Sequence, residues 1–312
     1  MTIVLSSTPP STLSTRQFLS IGSLTKGRSN LLSHYSKNKR IAAVPLPDHF
    51  DARVKWPKCT SISTIYDQGA CGDCWAVSTV MTATDRWCIS KNQTENPILS
   101  VESMVSCCKV CGYGCADGFP NYAWSWLAGM KGAPYGIPTG GPQNNRQWCT
   151  KYTLSACNHY STPNNTLPSC ESGPPDKTPQ CPTHCDLDTK YKIQLSNDIH
   201  QFSKAFAIPS NEIDIMNEIY ENGPVTAGFN VYSDWIHYPV GTSSNQVYKP
   251  QGGTEMGGHA VRIIGWGVSK DHVKYWLIAN SFGGKWGLNG YFKMARGVGA
   301  AGIEQSVVAG LV

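Results

Sequence analysis

Residues 67–78 read Asp-Gln-Gly-Ala-Cys-Gly-Asp-Cys-Trp-Ala-Val-Ser and set Cys71 and Cys74 three positions apart, just ahead of a helical pattern. From Cys74 to Cys88 the residues Val77, Val80, Met81, Trp87 and Cys88 recur at helical spacing, with Thr84 completing the stripe and Asp73 and Ser78 near its start. The pattern predicts a core helix beginning at Cys74. The cysteine pair itself has three readings: a redox couple, half of a zinc site, or a nucleophile beside a structural disulfide. A redox couple belongs after a strand in a small α/β unit and rarely keeps the company of so many other cysteines, of which the chain has 13 in all. A zinc site could draw on Cys107, Cys108, Cys111 and Cys115, but their spacing does not give two clean CxxC pairs leading into helices. For a nucleophile, the partial positive charge of a helix N-terminus and a nearby imidazolium lower the thiol pKa. That reading requires a histidine as base and acid, and a third group to hold the ring.

The C-terminal half offers both. Residues 256–267, Met-Gly-Gly-His-Ala-Val-Arg-Ile-Ile-Gly-Trp-Gly, place His259 after two glycines at the head of an apolar strand, where the backbone can approach a ligand closely. The next strand ends in Ala-Asn-Ser-Phe-Gly-Gly-Lys-Trp-Gly, residues 279–287, so the amide oxygen of Asn280 can accept from the His259 ring and fix its tautomer. Alone, a histidine at a strand end reads as structural; the combination points to chemistry.

Composition bounds the rest. The chain has 312 residues, 40% of them hydrophobic and 15% charged, which fits one large or two medium globular domains rich in loops. No apolar run approaches the ~20 residues of a membrane span. Of the net charge of +5, residues 1–45 contribute six Lys/Arg and no acid, so the body is close to neutral and nothing in it suggests nucleic acid. That N-terminal stretch is Ser-rich and carries the dibasic Lys39-Arg40; it reads as a pro-segment or a transit peptide, and Ile3-Val4-Leu5 is too short for a secretory core, so the start is expected to be incomplete. Thirteen cysteines favour an oxidising compartment, and their odd number implies that one is spared. Sequons at Asn92 and Asn164 agree with a secretory route.

Along the chain, a second helix is predicted from about Asn211 to Glu221, with Ile213, Met216, Ile219 and Tyr220 inward and Asn222-Gly223-Pro224 as the stop. Beyond it, residues 225–231, 259–264, 275–278 and 291–294 read as short strands. Between Cys149 and Cys185 lie five cysteines amid Pro, Asn, Ser and Thr, a disulfide-stapled loop. No repeat or long low-complexity tract is present.

These motifs resemble the papain family of cysteine proteases, and within it the cathepsin B branch, over roughly residues 46–312. The resemblance is carried by Leu-Pro-Asp-His-Phe-Asp-Ala-Arg (46–53), the 67–76 motif, Ser-Cys-Cys-Lys-Val-Cys-Gly-Tyr-Gly-Cys-Ala-Asp-Gly-Phe-Pro (106–120), the His259 and Asn280 segments, and Gly-Ile-Glu-Gln-Ser-Val-Val-Ala-Gly (302–310). It implies an α+β, papain-like two-domain fold with an active-site cleft between a helical domain, 46–195, containing an occluding-type loop at about 149–185, and an antiparallel β-barrel-like domain, 196–312. It further implies Cys74 as nucleophile, His259 as general acid and base, Asn280 as the ring's orienter, and Gln68 as an oxyanion donor, although alone Gln68 reads as a loop residue. Gly118, Phe119, Pro120, Gly258 and Ala260 would touch substrate, Trp286 would shield the Asn280–His259 pair, and Glu304 would sit at the base of a pocket that accepts Arg. Six disulfides follow from the same resemblance: Cys59–Cys88, Cys71–Cys115, Cys107–Cys181, Cys108–Cys111, Cys149–Cys185 and Cys157–Cys170. They leave Cys74 free. No metal or cofactor is implied; the partners are polypeptide substrates, cystatin-type inhibitors and the chain's own pro-segment, for a monomer that is endolysosomal or secreted.

Four positions depart from the family's usual residues. His159 of the stapled loop matches the first of two carboxylate-capturing histidines and is expected to pair with Asp67, but Tyr160 stands where the second would be, a weaker anchor for a substrate C-terminus. Asp73 replaces a serine; a carboxylate ~7 Å from a thiolate would disfavour it by about 0.6 kcal/mol at water-like screening and about 2.4 kcal/mol at an effective dielectric of 20. Phe282 replaces a tryptophan and Asp117 a glycine. The alternative to an endopeptidase with weakened dipeptidyl-carboxypeptidase activity is a slow or inactive secreted homologue that binds protein or matrix.

Overall fold

The computed structural model describes residues 45–129, 136–143, 147–161, 165–188, 190–236, 238 and 246–312. The expected pro-segment with Lys39-Arg40, apart from Pro45, and the sequon residue Asn164 lie outside the described residues. In chain order the elements are β1 (Phe50–Asp51), α1 (Ala52–Lys55), α2 (Cys74–Ser90), α3 (Val101–Cys107), α4 (Pro120–Leu127), β2 (Gly140–Gly141), β3 (Thr150–Lys151), β4 (Lys204–Ala207), α5 (Glu212–Asn222), β5 (Val225–Tyr232), α6 (Ser233–Ile236), β6 (Glu255–Val268), β7 (Lys274–Ala279), β8 (Tyr291–Ala295) and β9 (Ser306–Leu311).

Helix α5 starts where its sequence says it should: the Asn211 side chain accepts from the Asp214 N–H, and Gly223, at φ 101°, supplies the left-handed exit. Its inward face is Ile215, Met216 and Ile219, while Ile213 is 53% exposed and does not face the core as expected. Helix α2 also differs from its prediction. Instead of one apolar stripe, every residue from Cys74 to Arg86 is buried, because the helix runs through the middle of the molecule with α3 and α4 on one side and β5, β6 and β9 on the other. A helix so placed must satisfy its polar residues internally. Asp85 does so with Arg262 (2.7 Å) and Ser61 (2.6 Å), and Arg86 with Glu218 (2.9 Å) and the carbonyls of Pro224 and Gly310.

The main sheet is antiparallel throughout, in the order β4-β9-β5-β6-β7-β8, with β1 added to β6. Its outer strands β4 and β8 are not joined among the described residues, so the barrel-like closure is corrected to an open, coiled sheet. The long β6 pairs with β5, β1 and β7, and its ladder with β7 shifts register between Ile263 and Gly265, where β1 joins it. Glycine is required there: a Cβ on Gly265 would fall 2.2 Å from the Phe50 carbonyl oxygen.

Two buried apolar clusters result. One, around Trp75, Val80, Met104, Trp124 and Leu127, joins α2, α3 and α4; the other, around Phe229, Ile263, Trp276, Ile278 and Phe292, lies on the sheet. The chain ends cross between them: Phe50, Ala52, Trp56 and Ile62 pack with the sheet, and Phe202, Ala205 and Val308 with the helices. The loop from Cys149 is stitched by Cys149–Cys185 and Cys157–Cys170, and Cys107–Cys181 ties it to the end of α3.

Candidate active site

Cys74 is the first residue of α2 and the cysteine that joins no disulfide among those described; the other twelve form Cys59–Cys88, Cys71–Cys115, Cys107–Cys181, Cys108–Cys111, Cys149–Cys185 and Cys157–Cys170. Cys71 and Cys74 therefore do not form a redox couple. Two features bring strand and helix together here. Ala260, next to His259 in β6, packs on Cys74, and the row Gly228–Ala260 in the β5–β6 ladder carries no side chain large enough to hold α2 away.

His259 is 2% exposed, and its Nε2 lies 2.8 Å from Asn280 Oδ1, just past the end of β7. The same oxygen accepts from the Ser281 N–H at 2.8 Å. Burial pushes the imidazole down to about 4; the Asn280 bond opposes the shift and the charge of His159 adds to it. At rest the ring is therefore neutral, with Nε2–H donated to Asn280, so the Nδ1 lone pair is the group available to take a proton. Phe282 stacks on both His259 (centroids 4.9 Å) and His159 (4.4 Å, planes 13° apart). The phenyl ring thus packs against two imidazoles, and Trp286, 1% exposed, closes edge-on against it at 5.6 Å. His159 is anchored by Asp67, Nε2 to Oδ1 at 2.9 Å, as the sequence led us to expect. Tyr160, beside it, sits at φ 55°, a conformation that costs a non-glycine residue energy, and burial raises its phenol well above the usual range. The charge of Glu171, and less that of Cys74, adds to that rise.

Gln68 is 3% exposed and held at four atoms. Its N–H donates to the Ser281 carbonyl (2.9 Å), Nε2 to the Cys71 carbonyl (2.8 Å), Oε1 accepts from Ser281 Oγ (2.5 Å), and its carbonyl accepts from Tyr152 Oη (3.1 Å). Neither Ser281 nor Tyr152 was legible as a site residue, because their partners lie 213 and 84 positions away and no local pattern marks them.

On the substrate side, Gly118 presses on the Trp75 indole so closely that a Cβ would fall 2.4 Å from it, and its N–H is taken by Asp117 Oδ1 at 2.5 Å. Phe119 caps α4, stacking edge-on with Tyr122, and Pro120 is its first residue. Gly258 pairs with Asn230 in the ladder next to His259. Glu304 departs from its expected role. Its Oε1 accepts from Trp276 Nε1 (2.9 Å) and the Gly297 N–H (2.6 Å), and Oε2 from the Gly299 N–H (3.1 Å), so its charge is spent within the fold. The worry about Asp73 also changes: wholly buried, its carboxyl is pushed up to about 8, mainly by desolvation, and is neutral where a thiolate would need it to be.

A thiol at a helix start, an imidazole on a facing strand and an amide that orients it define a thiol hydrolase of the two-lobed, α+β kind. The sequence profile of the papain family cysteine proteases matches residues 46–311. The chain is 42% identical over 266 residues to a cathepsin B-like cysteine proteinase 4 of Caenorhabditis elegans, covering 85% of this chain and 75% of that protein. It is 40% identical over 289 residues to a cathepsin B-like cysteine proteinase of Schistosoma japonicum, covering 93% and 78%. Among solved structures it resembles a procathepsin B of Trypanosoma congolense, with a TM-score of 0.74, 30% identity and coverage of 95% and 86%. The fold is shared with a digestive procathepsin L 3 of Tenebrio molitor, TM-score 0.63 at 19% identity, covering 95% and 77%. The chain belongs to the papain family of cysteine proteases, in its cathepsin B-like branch. It is a peptidase. No helix among the described residues is long and apolar enough to cross a membrane.

Proposed function

We propose that this peptidase cleaves polypeptides through Cys74, with His259, Asn280 and Gln68 in the roles the resemblance implies. The Cys74 proton passes to His259 Nδ1, and the sulfur attacks the scissile carbonyl. The resulting oxyanion takes hydrogen bonds from the Cys74 N–H at the start of α2 and from the Gln68 amide proton not given to Cys71. Collapse expels the amine, which collects the proton from the imidazolium. Water, deprotonated by the same ring, then hydrolyses the thioester and restores the thiol. Asn280 holds the ring throughout, and Phe282 and Trp286 keep water from that bond.

The observation that carries this reading is the pairing of one uncrosslinked cysteine at a helix start with an imidazole whose far nitrogen is already committed to an amide. Substrate extends past Gly258 and Ala260 and along Gly118, Phe119 and Pro120. The apolar lining there favours apolar side chains, because Glu304 is not free to receive Arg. Tyr160 in place of a second imidazole gives an endopeptidase with weakened release of C-terminal dipeptides. Residues 1–45 serve as a pro-segment, cystatin-type proteins inhibit, and the enzyme works as a monomer in an acidic endolysosomal or secreted setting. An epoxysuccinyl or fluoromethyl-ketone inactivator tests the chemistry: one equivalent is expected on Cys74 with complete loss of hydrolysis, and labelling elsewhere, or none, would overturn the assignment.

A further inference from the structure

Asp73 stands at the N-cap of α2, where an aspartate normally accepts a backbone N–H from the first turn, yet its side chain makes no such bond. Its backbone carbonyl starts the helix, accepting from Ala76 and Val77, while the carboxyl turns away into the protein. There it is 0% exposed; Oδ1 has no hydrogen-bond partner, and Oδ2 lies 2.7 Å from Tyr152 Oη. The groups around it are the phenols of Tyr152 and Tyr66 and the carboxylates of Glu102 and Asp176, with Cys74 next in the chain. The charges acting on it are both acidic, and each disfavours its ionisation. A buried carboxylate facing other acids is a costly arrangement that protonation relieves.

Proton counting then links this carboxyl to the oxyanion site. Tyr152 has one hydroxyl proton and two acceptors within reach, Asp73 Oδ2 at 2.7 Å and the Gln68 carbonyl at 3.1 Å. If Asp73 is ionised it takes that proton, and the Gln68 carbonyl loses its donor. If Asp73 is protonated it donates to Tyr152, whose own O–H then points at Gln68, and every member of the chain is satisfied. We infer that Asp73 and Tyr152 are positioning residues of the oxyanion site: a protonated Asp73 donates through Tyr152 to hold Gln68, and ionisation of Asp73 on the alkaline side releases it. The inference rests on the assignment of Gln68 and Cys74 made above. An ionised Asp73 would also place a negative charge beside the sulfur just when a thiolate must form.

The test compares the wild-type chain with Asp73→Asn, Asp73→Ala and Tyr152→Phe on a fluorogenic dipeptide amide across the pH range. The wild type is expected to lose kcat, with little change in KM, through a group titrating near 8. Asp73→Asn can donate to Tyr152 at every pH and should remove that limb, keeping about tenfold more of its own acid-side plateau than the wild type does one unit above the midpoint. Asp73→Ala and Tyr152→Phe should lower kcat at all pH values, with Asn rescuing what Ala loses. Stability follows the same proton. The folded-state pKa lies above the unfolded value, so the wild type should lose melting temperature relative to Asp73→Asn as pH rises from about 4 to about 8, and the gap should be constant above that. An infrared carbonyl band of a protonated carboxylic acid, present in the wild type at pH 7, bleached by alkali and missing from Asp73→Asn, reads the same proton. Identical alkaline limbs in wild type and Asp73→Asn, or absence of that infrared band, would overturn the inference. Failure of Cys74 to label at any pH would instead sink the assignment it rests on, whatever the infrared band reports.

Discussion

Glu304 gives its two oxygens to three N–H donors, from Trp276, Gly297 and Gly299, and so fastens the turn after β8 to β7. A carboxylate bonded in this way stabilises its loop because removing it leaves buried donors unpaired. Glu304→Ala is expected to cost about 3 kcal/mol in urea unfolding. It should leave unchanged the ratio of kcat/KM for paired substrates with Arg or Leu two residues before the scissile bond. A selective loss of the Arg substrate would return Glu304 to the pocket base. The motif around Glu304 was legible in the sequence, but what its carboxylate touches was not, since Trp276 lies on another strand. His259, Asn280 and Gln68 were legible for the opposite reason: a motif fixes residue type, local turn and chemistry together. Asp73 shows the limit. As a letter in the sequence it is a charge beside a thiol, and only its burial against Tyr152, Tyr66 and acidic neighbours makes it neutral.

Helix α2 carries both Cys74, the proposed nucleophile, and the interface between the two cores. Its start, and the starts and ends of α5, were readable because caps and stop signals are local. Its surroundings were not. A stripe of Val77, Val80 and Met81 looks like an amphipathic helix, whereas Thr79, Thr82, Asp85 and Arg86 are buried too, and Asp85 and Arg86 pair with groups far away in sequence. Strands β4 and β9 escaped for a similar reason, being four and six residues long with no sustained alternation. The Asp85–Arg262 pair, 0% and 4% exposed, fastens α2 to β6 about three turns along the helix from Cys74. Asp85→Ala leaves a guanidinium buried with only carbonyls for company and should cost about 3 to 5 kcal/mol. Replacing both partners, Asp85→Leu with Arg262→Met, should recover most of that loss. Equilibrium unfolding of the two variants checks this, and a double variant no more stable than the single one would show that the carbonyl contacts of Arg262, not its charge pair, hold the two elements together.

At the scale of the whole molecule, the stapled loop is, in the proposed function, a wall across one end of the cleft. Cys107–Cys181 fixes it to the helical core, Asp67–His159 fixes it to the loop before α2, and Phe282 stacks it on the ring of His259. The wall and His259, the proposed general base, thus share one aromatic contact, so the loop's seat and the orientation of His259 are set together. What the wall offers a substrate depends on Tyr160, held at φ 55° with its ring 5.6 Å from that of Phe282. A buried phenol with a raised pKa can donate one neutral hydrogen bond to a terminal carboxylate but brings no positive charge, and a charge-assisted bond is worth about 1.5 to 3 kcal/mol against about 1 for a neutral one. The wild type should therefore hydrolyse a peptide with a free C-terminus and its amidated counterpart at similar kcat/KM. Tyr160→His, which supplies an imidazolium at acid pH, is expected to raise kcat/KM for the free acid by about tenfold while leaving the amide within about twofold. The gain should vanish above the histidine's own pKa as the ring loses its charge. A strong preference of the wild type for the free acid would mean that His159 and the phenol suffice to capture a carboxylate, and the weakened exopeptidase reading would fall.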